Sequence, residues 1–125
     1  DKSYSDQNFN IKGSFKGANM AGSNFSGLGL QAVSFESTNL AGANFKDAYM
    51  VFTNFDSSDL NEANFDGANA RQASFDLADL TNASFQNANI QEASFVGAVL
   101  DGVDFSGAEN CLSVTWGRDF PPPCG

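Results

Sequence analysis

Chemistry in this chain would have to come from carboxylates and thiols. The 125 residues hold 15 Asp and Glu against 6 Lys and Arg, with two cysteines and no histidine. Without histidine there is no imidazole base, no imidazole metal ligand and no group that switches charge near neutrality. No nucleophile stands beside a base, no glycine loop is built to cradle phosphate, and two cysteines alone make a poor metal set. An enzymatic reading has nothing to rest on, and no cofactor or metal is implied. The formal charge of −9 opposes binding to nucleic acid through its phosphates. The longest apolar run falls far short of the roughly 20 residues of a membrane-spanning helix, so membrane insertion is not expected.

What would position the carboxylates is written in the aromatic residues. Phenylalanine occupies 15, 25, 35, 45, 55, 65, 75, 85, 95 and 105. Midway between lie Met20, Leu30, Leu40, Met50, Leu60, Ala70, Leu80, Ile90 and Leu100. The period is five residues, with a large-then-medium alternation at ten, and all 19 centres are apolar. Two residues before a centre the side chain is alanine in 11 of 19 cases, and Gly, Ser or Thr in five more. One residue before it stands Asn, Asp or Ser in 16 of 19, and two residues after it glycine appears eight times.

A period of five fits neither regular element. On an α-helix successive centres would lie about 140° apart and spread around the whole cylinder. On a straight strand an odd period sends them to opposite faces. A chain that turns the same way once per repeat turns every centre inward. Four turns of about 90° close a square coil of about 20 residues, and coils stacked at ~4.8 Å can hydrogen-bond to one another. Phenylalanine then lines two opposite walls and Leu, Met or Ile the other two, which leaves room only for small residues at the second inward position.

Ala43-Asn44-Phe45, Ala63-Asn64-Phe65, Ala78-Asp79-Leu80 and Ala88-Asn89-Ile90 carry a clear resemblance: the sequence is similar to the pentapeptide-repeat proteins. The resemblance implies an all-β fold, a right-handed quadrilateral β-helix of about five coils, with the centre and the small residue pointing in. The organisation expected is an N-terminal cap or degenerate first coil over 1–12, the repeat over 13–108, and a C-terminal cap over 109–125. Tyr4 and Phe9, five apart but out of phase with Phe15, belong to the first segment.

In that frame the exceptions can be placed. Ala70 is undersized between Met50 and Ile90, which leaves either a small hole or a gap filled by Met50. Leu28-Gly29 predicts a bulge or loosened corner. Tyr49, Val51 and Phe52 break the polar pattern and predict an exposed apolar patch with Leu77 one coil later, a candidate partner site. Glu36, Asp56 and Asp76 fall on one wall, between Lys16 and Val96, as a ladder of like charges. Such a ladder is either a solvated acidic face or a weak attractor of a cation such as calcium, although it offers few oxygens. Lys46 and Asp66 become vertical neighbours. Asn19, Asn39, Asp59 and Asp79 form a column that hydrogen-bonds the backbone at the corners.

From Glu109 the repeat stops, and Pro121-Pro122-Pro123 cannot continue a ladder, so the coils are expected to end by about residue 110. Cys111 and Cys124 are predicted to form a disulfide that pins the tail across the end of the stack, two free thiols being the alternative. Trp116 or Phe120 would plug that end. A disulfide points to an oxidising compartment. The first ten residues show no basic start followed by an apolar stretch, so a targeting peptide is expected to be already removed. The small lumenal members of the family, some with a cysteine-bearing tail, make the thylakoid lumen the expected location, with the bacterial periplasm or secretion as alternatives. The function this supports is a monomeric structural or protein-interaction module with an unidentified protein partner. The alternative, implied by family members that are acidic rods, is a DNA mimic that binds DNA gyrase. Those proteins pair through a C-terminal helix, for which this proline-rich tail has no 3.6-residue apolar pattern.

Overall fold

The second residue after every centre adopts a left-handed backbone. In all 19 repeats, from Gly17 to Gly107, its φ is positive, between 54° and 76°. That is the conformation a type II turn requires at its third residue, and it explains why glycine recurs there. The turn is closed by the N–H three residues after the centre, which donates to the carbonyl of the centre, as in Ala18 to Phe15 at 2.9 Å and Ala43 to Leu40 at 2.9 Å. Each repeat is one such corner followed by one short extended step.

The computed structural model describes residues 13–117. Tyr4, Phe9, Phe120 and Cys124 lie outside the described residues. Corners repeated every five residues produce a right-handed quadrilateral β-helix. Parallel bridges join each residue before a centre to its equivalent in the next coil, from Ser14 with Ser34 to Asn89 with Glu109. The N–H of each centre from Phe15 to Phe95 donates to the coil above, as in Phe45 to Asn64 at 2.7 Å and Leu60 to Asp79 at 2.8 Å. Four walls result: the first carries Phe15 to Phe95, the second Met20 to Leu100, the third Phe25 to Phe105, and the fourth Leu30, Met50, Ala70 and Ile90.

The core is two interlocked columns of rings. Vertical neighbours stack, as Phe55 on Phe75 at 5.0 Å and 3°, while rings on opposite walls meet edge to face, as Phe65 with Phe75 at 5.4 Å and 87°. Each interior ring thus presents its face to aromatic neighbours above and below and its edge across the prism, both favoured by the ring quadrupole. Seven of the rings, from Phe35 to Phe95 on both walls, are fully buried. Hydroxyls at the small inward position are satisfied: Thr53 Oγ1 donates to the Leu30 carbonyl at 2.6 Å and Thr38 Oγ1 to the Phe15 carbonyl at 2.9 Å, one coil below.

Three expectations are corrected. Leu28-Gly29 forms no bulge: Gly29 pairs with Tyr49, Tyr49 N–H donates to the Leu28 carbonyl at 2.9 Å, and Leu28 is buried in the core. The ladder tolerates leucine there because its hydrogen bonds are all backbone. The coils also run past residue 110. After a 3₁₀ turn at Cys111–Ser113, Thr115 pairs with Ser94, one residue out of the register of the other coils, and the extra residue is absorbed in that turn. Trp116 then lies flat on Phe95 at 5.1 Å and edge-on to Phe105 at 5.2 Å, so an indole takes the place of the next phenylalanine. The third correction, at Val51, belongs to the outer surface. Ala70, Met50 and Ile90 are all fully buried, and the tightest ring stack, Phe65 on Phe85 at 4.6 Å, flanks Ala70.

Phe65→Ala removes a ring with stacked partners on both sides and should lower unfolding free energy by about 3–5 kcal/mol. Urea denaturation followed by circular dichroism checks this, and a loss under about 1 kcal/mol would show that the ring columns do not carry the fold.

Candidate functional site

The outer surface is ordered by polar residues that bind the backbone. Where Asn or Asp precedes a centre, its side-chain oxygen accepts the N–H two residues on, as Asn44 from Lys46 at 2.9 Å and Asn64 from Asp66 at 2.8 Å. Three of the serines in this place work differently. Ser74, Ser84 and Ser94 donate their hydroxyls to Asp56, Asp66 and Asp76 of the coil below. The same carboxylate oxygen then accepts the N–H that the serine would have capped: Asp76 to Asp56 at 3.0 Å, Gln86 to Asp66 at 2.9 Å, and Val96 to Asp76 at 3.0 Å. Aspartate therefore staples one coil to the next. The signal was present in the sequence as a constant offset between each aspartate and its serine, a spacing that means nothing until the coil length is known.

The Glu36, Asp56, Asp76 ladder is part of this bonding. Asp56 and Asp76 spend Oδ1 on the coil above, and Glu36 pairs with Lys16 at 3.7 Å. Among the described residues no three acidic or thiol groups converge as a metal set. Asp66, aligned with Lys46, likewise turns its Oδ1 to Ser84 and Gln86 above. In the column of Asn19, Asn39, Asp59 and Asp79, Asn61 Nδ2 donates to Asp59 at 2.6 Å and to Asp79 at 3.0 Å. Thr81 holds the Asp79 carboxyl below the usual carboxylate range through its hydroxyl and its N–H. The hydroxyl of Ser106 and the amide of Gln86 do the same for Asp104.

The apolar exceptions divide between two corners. Tyr49 and Phe52 flank Met50 on the fourth wall, and both are exposed, Phe52 by 54%. Val51 is not part of a patch. It is 3% exposed, at a corner position whose register neighbours below and above, Gln31 and Arg71, carry long side chains. Leu77, 68% exposed, stands at the next corner round, where sequence reasoning missed its companions Val96 and Val99. Leu77 is the register neighbour of Gly97 above, and a Cβ on Gly97 would come within 2.7 Å of Leu77 Cδ2. That glycine makes room for the leucine.

Phe52 and Leu77 share one more property. Both occupy the left-handed turn position, with φ of 63° and 62°. Every other residue in that position is glycine or a small or polar side chain. A branched or bulky side chain there costs on the order of 1–2 kcal/mol relative to a right-handed conformation, and each residue remains more than half exposed. At the C-terminal end, Trp116 is buried over the ring columns and Cys111 is buried and not a free thiol.

The chain matches the family of pentapeptide repeats in eight copies, over residues 30–67, 38–76, 58–95 and 78–109. No curated protein matches it. Among solved structures it resembles a pentapeptide repeat protein from the Arabidopsis thaliana thylakoid lumen, at 31% identity over 85% of this chain and 69% of that one, with a TM-score of 0.65. HetL of the cyanobacterium Nostoc sp., a pentapeptide repeat protein involved in heterocyst differentiation regulation, is 22% identical over 80% of this chain and 40% of its own, at a TM-score of 0.60. QnrB1, a plasmid-mediated fluoroquinolone resistance protein, is 17% identical over 78% of this chain and 58% of its own, at 0.58. The last two share the fold alone.

The staple is testable by rescue. Asp66→Ala should cost about 1–2 kcal/mol by leaving the Gln86 N–H and the Ser84 hydroxyl without their acceptor. Adding Ser84→Asn should recover most of it, because asparagine caps that N–H from its own repeat, as Asn64 does for Asp66. Thermal denaturation of the single and double variants decides, and an equal loss in both would remove the staple.

Proposed function

The chain belongs to the pentapeptide-repeat family, and from that premise we propose that it is a non-enzymatic, monomeric module that binds a protein partner through its outer corners in the thylakoid lumen. The observation that carries the reading is the pair Phe52 and Leu77. Each holds a large apolar side chain in solvent on a backbone that favours glycine. Each keeps more than half of its surface in solvent, and eight sister turns use glycine instead. Strain kept without a packing return marks a functional position, and exposed apolar surface marks a contact with another molecule. Tyr49 adds an amphipathic ring beside Phe52.

The location is supported by the lumenal Arabidopsis protein, the relative with the 31% identity. No helix among the described residues is long and apolar enough to cross a membrane. A cross-link between Cys111 and Cys124 would tie the tail to the end that Trp116 closes and suits a compartment where disulfides persist. Counting thiols on unreduced, denatured protein should give zero, and two reactive thiols would remove both the cross-link and its bearing on location.

Phe52→Gly and Leu77→Gly should each raise unfolding free energy by about 1 kcal/mol, because they relieve the left-handed strain. A photo-crosslinker placed at 52 or 77 should give defined products in lumenal extract, whereas one at Asn87, a polar residue in the same turn position, should not. Equal products from all three positions would end the docking reading. Inhibition of gyrase supercoiling by micromolar protein would shift the conclusion to the acidic-mimic alternative.

A further inference from the structure

The corner between the first and second walls changes character with height. On its first-wall side the residue after each centre is Asp56, then Asp76, then Val96, and on its second-wall side the residue before each centre is Asp59, then Asp79, then Val99. Leu77 lies between the two sides, beside Asp76 and under Gly97. Val96 N–H donates to the Asp76 carboxylate at 3.0 Å, and Val99 pairs directly with Asp79, so the apolar row sits immediately on the acidic one. Leu77, Val96 and Val99 are all exposed. Four carboxylates therefore occupy two coils, with Leu77 between the upper pair and Val96 and Val99 in the coil above. The lysine on this corner, Lys16, is two coils below the lowest of them and already faces Glu36 at 3.7 Å.

We propose that this corner is a docking site for a peptide segment of a partner protein that carries apolar side chains next to lysines or arginines. The inference rests on the interaction reading above and adds the chemistry of the partner. The apolar side chains cover Leu77, Val96 and Val99, whose exposure is otherwise uncompensated. The cations lie along Asp79 and Asp59, one and two coils below Val99 at ~4.8 Å per coil. Asp79 serves this role ionised, since Thr81 and Asn61 hydrogen-bond its carboxylate form. Asp56 and Asp76 use only Oδ1 for their staples, so their charge remains on the surface. The order of the two blocks gives a polarity: the partner's apolar end faces the C-terminal end of the prism. An acidic segment is excluded by repulsion from the four carboxylates, which supplies specificity as much as affinity.

The probe is a fluorescein-labelled peptide with a leucine block followed by a lysine block, its binding read by fluorescence anisotropy. Wild type should bind it in a salt-sensitive manner. Leu77→Gly combined with Val99→Asn should weaken it about tenfold or more, and Asp59→Asn combined with Asp79→Asn should weaken it and flatten the salt dependence. All four replacements are residue types that sister coils carry at the same positions, Gly17, Asn39 and Asn19 among them, and unchanged or raised melting temperatures confirm folding. The proposal is overturned if wild type does not bind, if a peptide with lysines and no leucines binds equally, if a glutamate version binds, or if the variants match wild type. If the probe fails while the crosslink product at 77 still forms and Val99→Asn in the same chain removes it, docking stands and only the partner's charge is refuted.

Discussion

Everything in this molecule depends on one corner: a centre whose carbonyl accepts the N–H three residues on, with a left-handed residue between them. The corner turns the chain by a quarter of a circuit every five residues, so every centre faces the same axis. Once four corners close a coil, backbone groups meet their equivalents in the next coil, and long-range pairing follows from a local conformation. The ring columns are a consequence. Phenylalanine on opposite walls is brought to stacking distance vertically and edge-to-face distance across, and Trp116 joins the same arrangement although its register is shifted by one.

The corner also dictates what the surface can do. Inward positions absorb nearly all the apolar residues, and the Asn, Asp and Ser residues before the centres mostly cap a turn or receive a staple from below. A convex prism organised in this way leaves few side chains free. Those that depart from its rules are therefore informative: Phe52 and Leu77 occupy a place where the backbone asks for glycine, and Val96 and Val99 replace residues that are charged or amide in lower coils. The carboxylates divide in the same manner. Asp56, Asp66 and Asp76 hold coils together, while Asp59 and Asp79 line a face above which apolar side chains begin.

The sequence by itself determined the period, the inward residues and the four walls, because each follows from a five-residue repeat of local geometry and needs no knowledge of contacts between coils; between Trp116 and Phe120 it did not choose, because the register shift at Cys111–Ser113 lies outside that repeat. The same knowledge reached Tyr49, Phe52 and Leu77, since each breaks a position-specific rule. Val51 broke the rule too, yet it is buried, because exposure at a corner depends on the neighbouring coils and not on the position within a repeat. The aspartate staples were invisible for a related reason: a carboxylate and a serine almost a full coil apart along the chain become partners only when the coil length sets them side by side. Leu28 was read as a defect and is an ordinary core residue, because the ladder is made by backbone groups indifferent to the side chain. Tertiary structure alone decided how vertical neighbours share hydrogen bonds and space, and so which exposed residues remain free to meet another molecule.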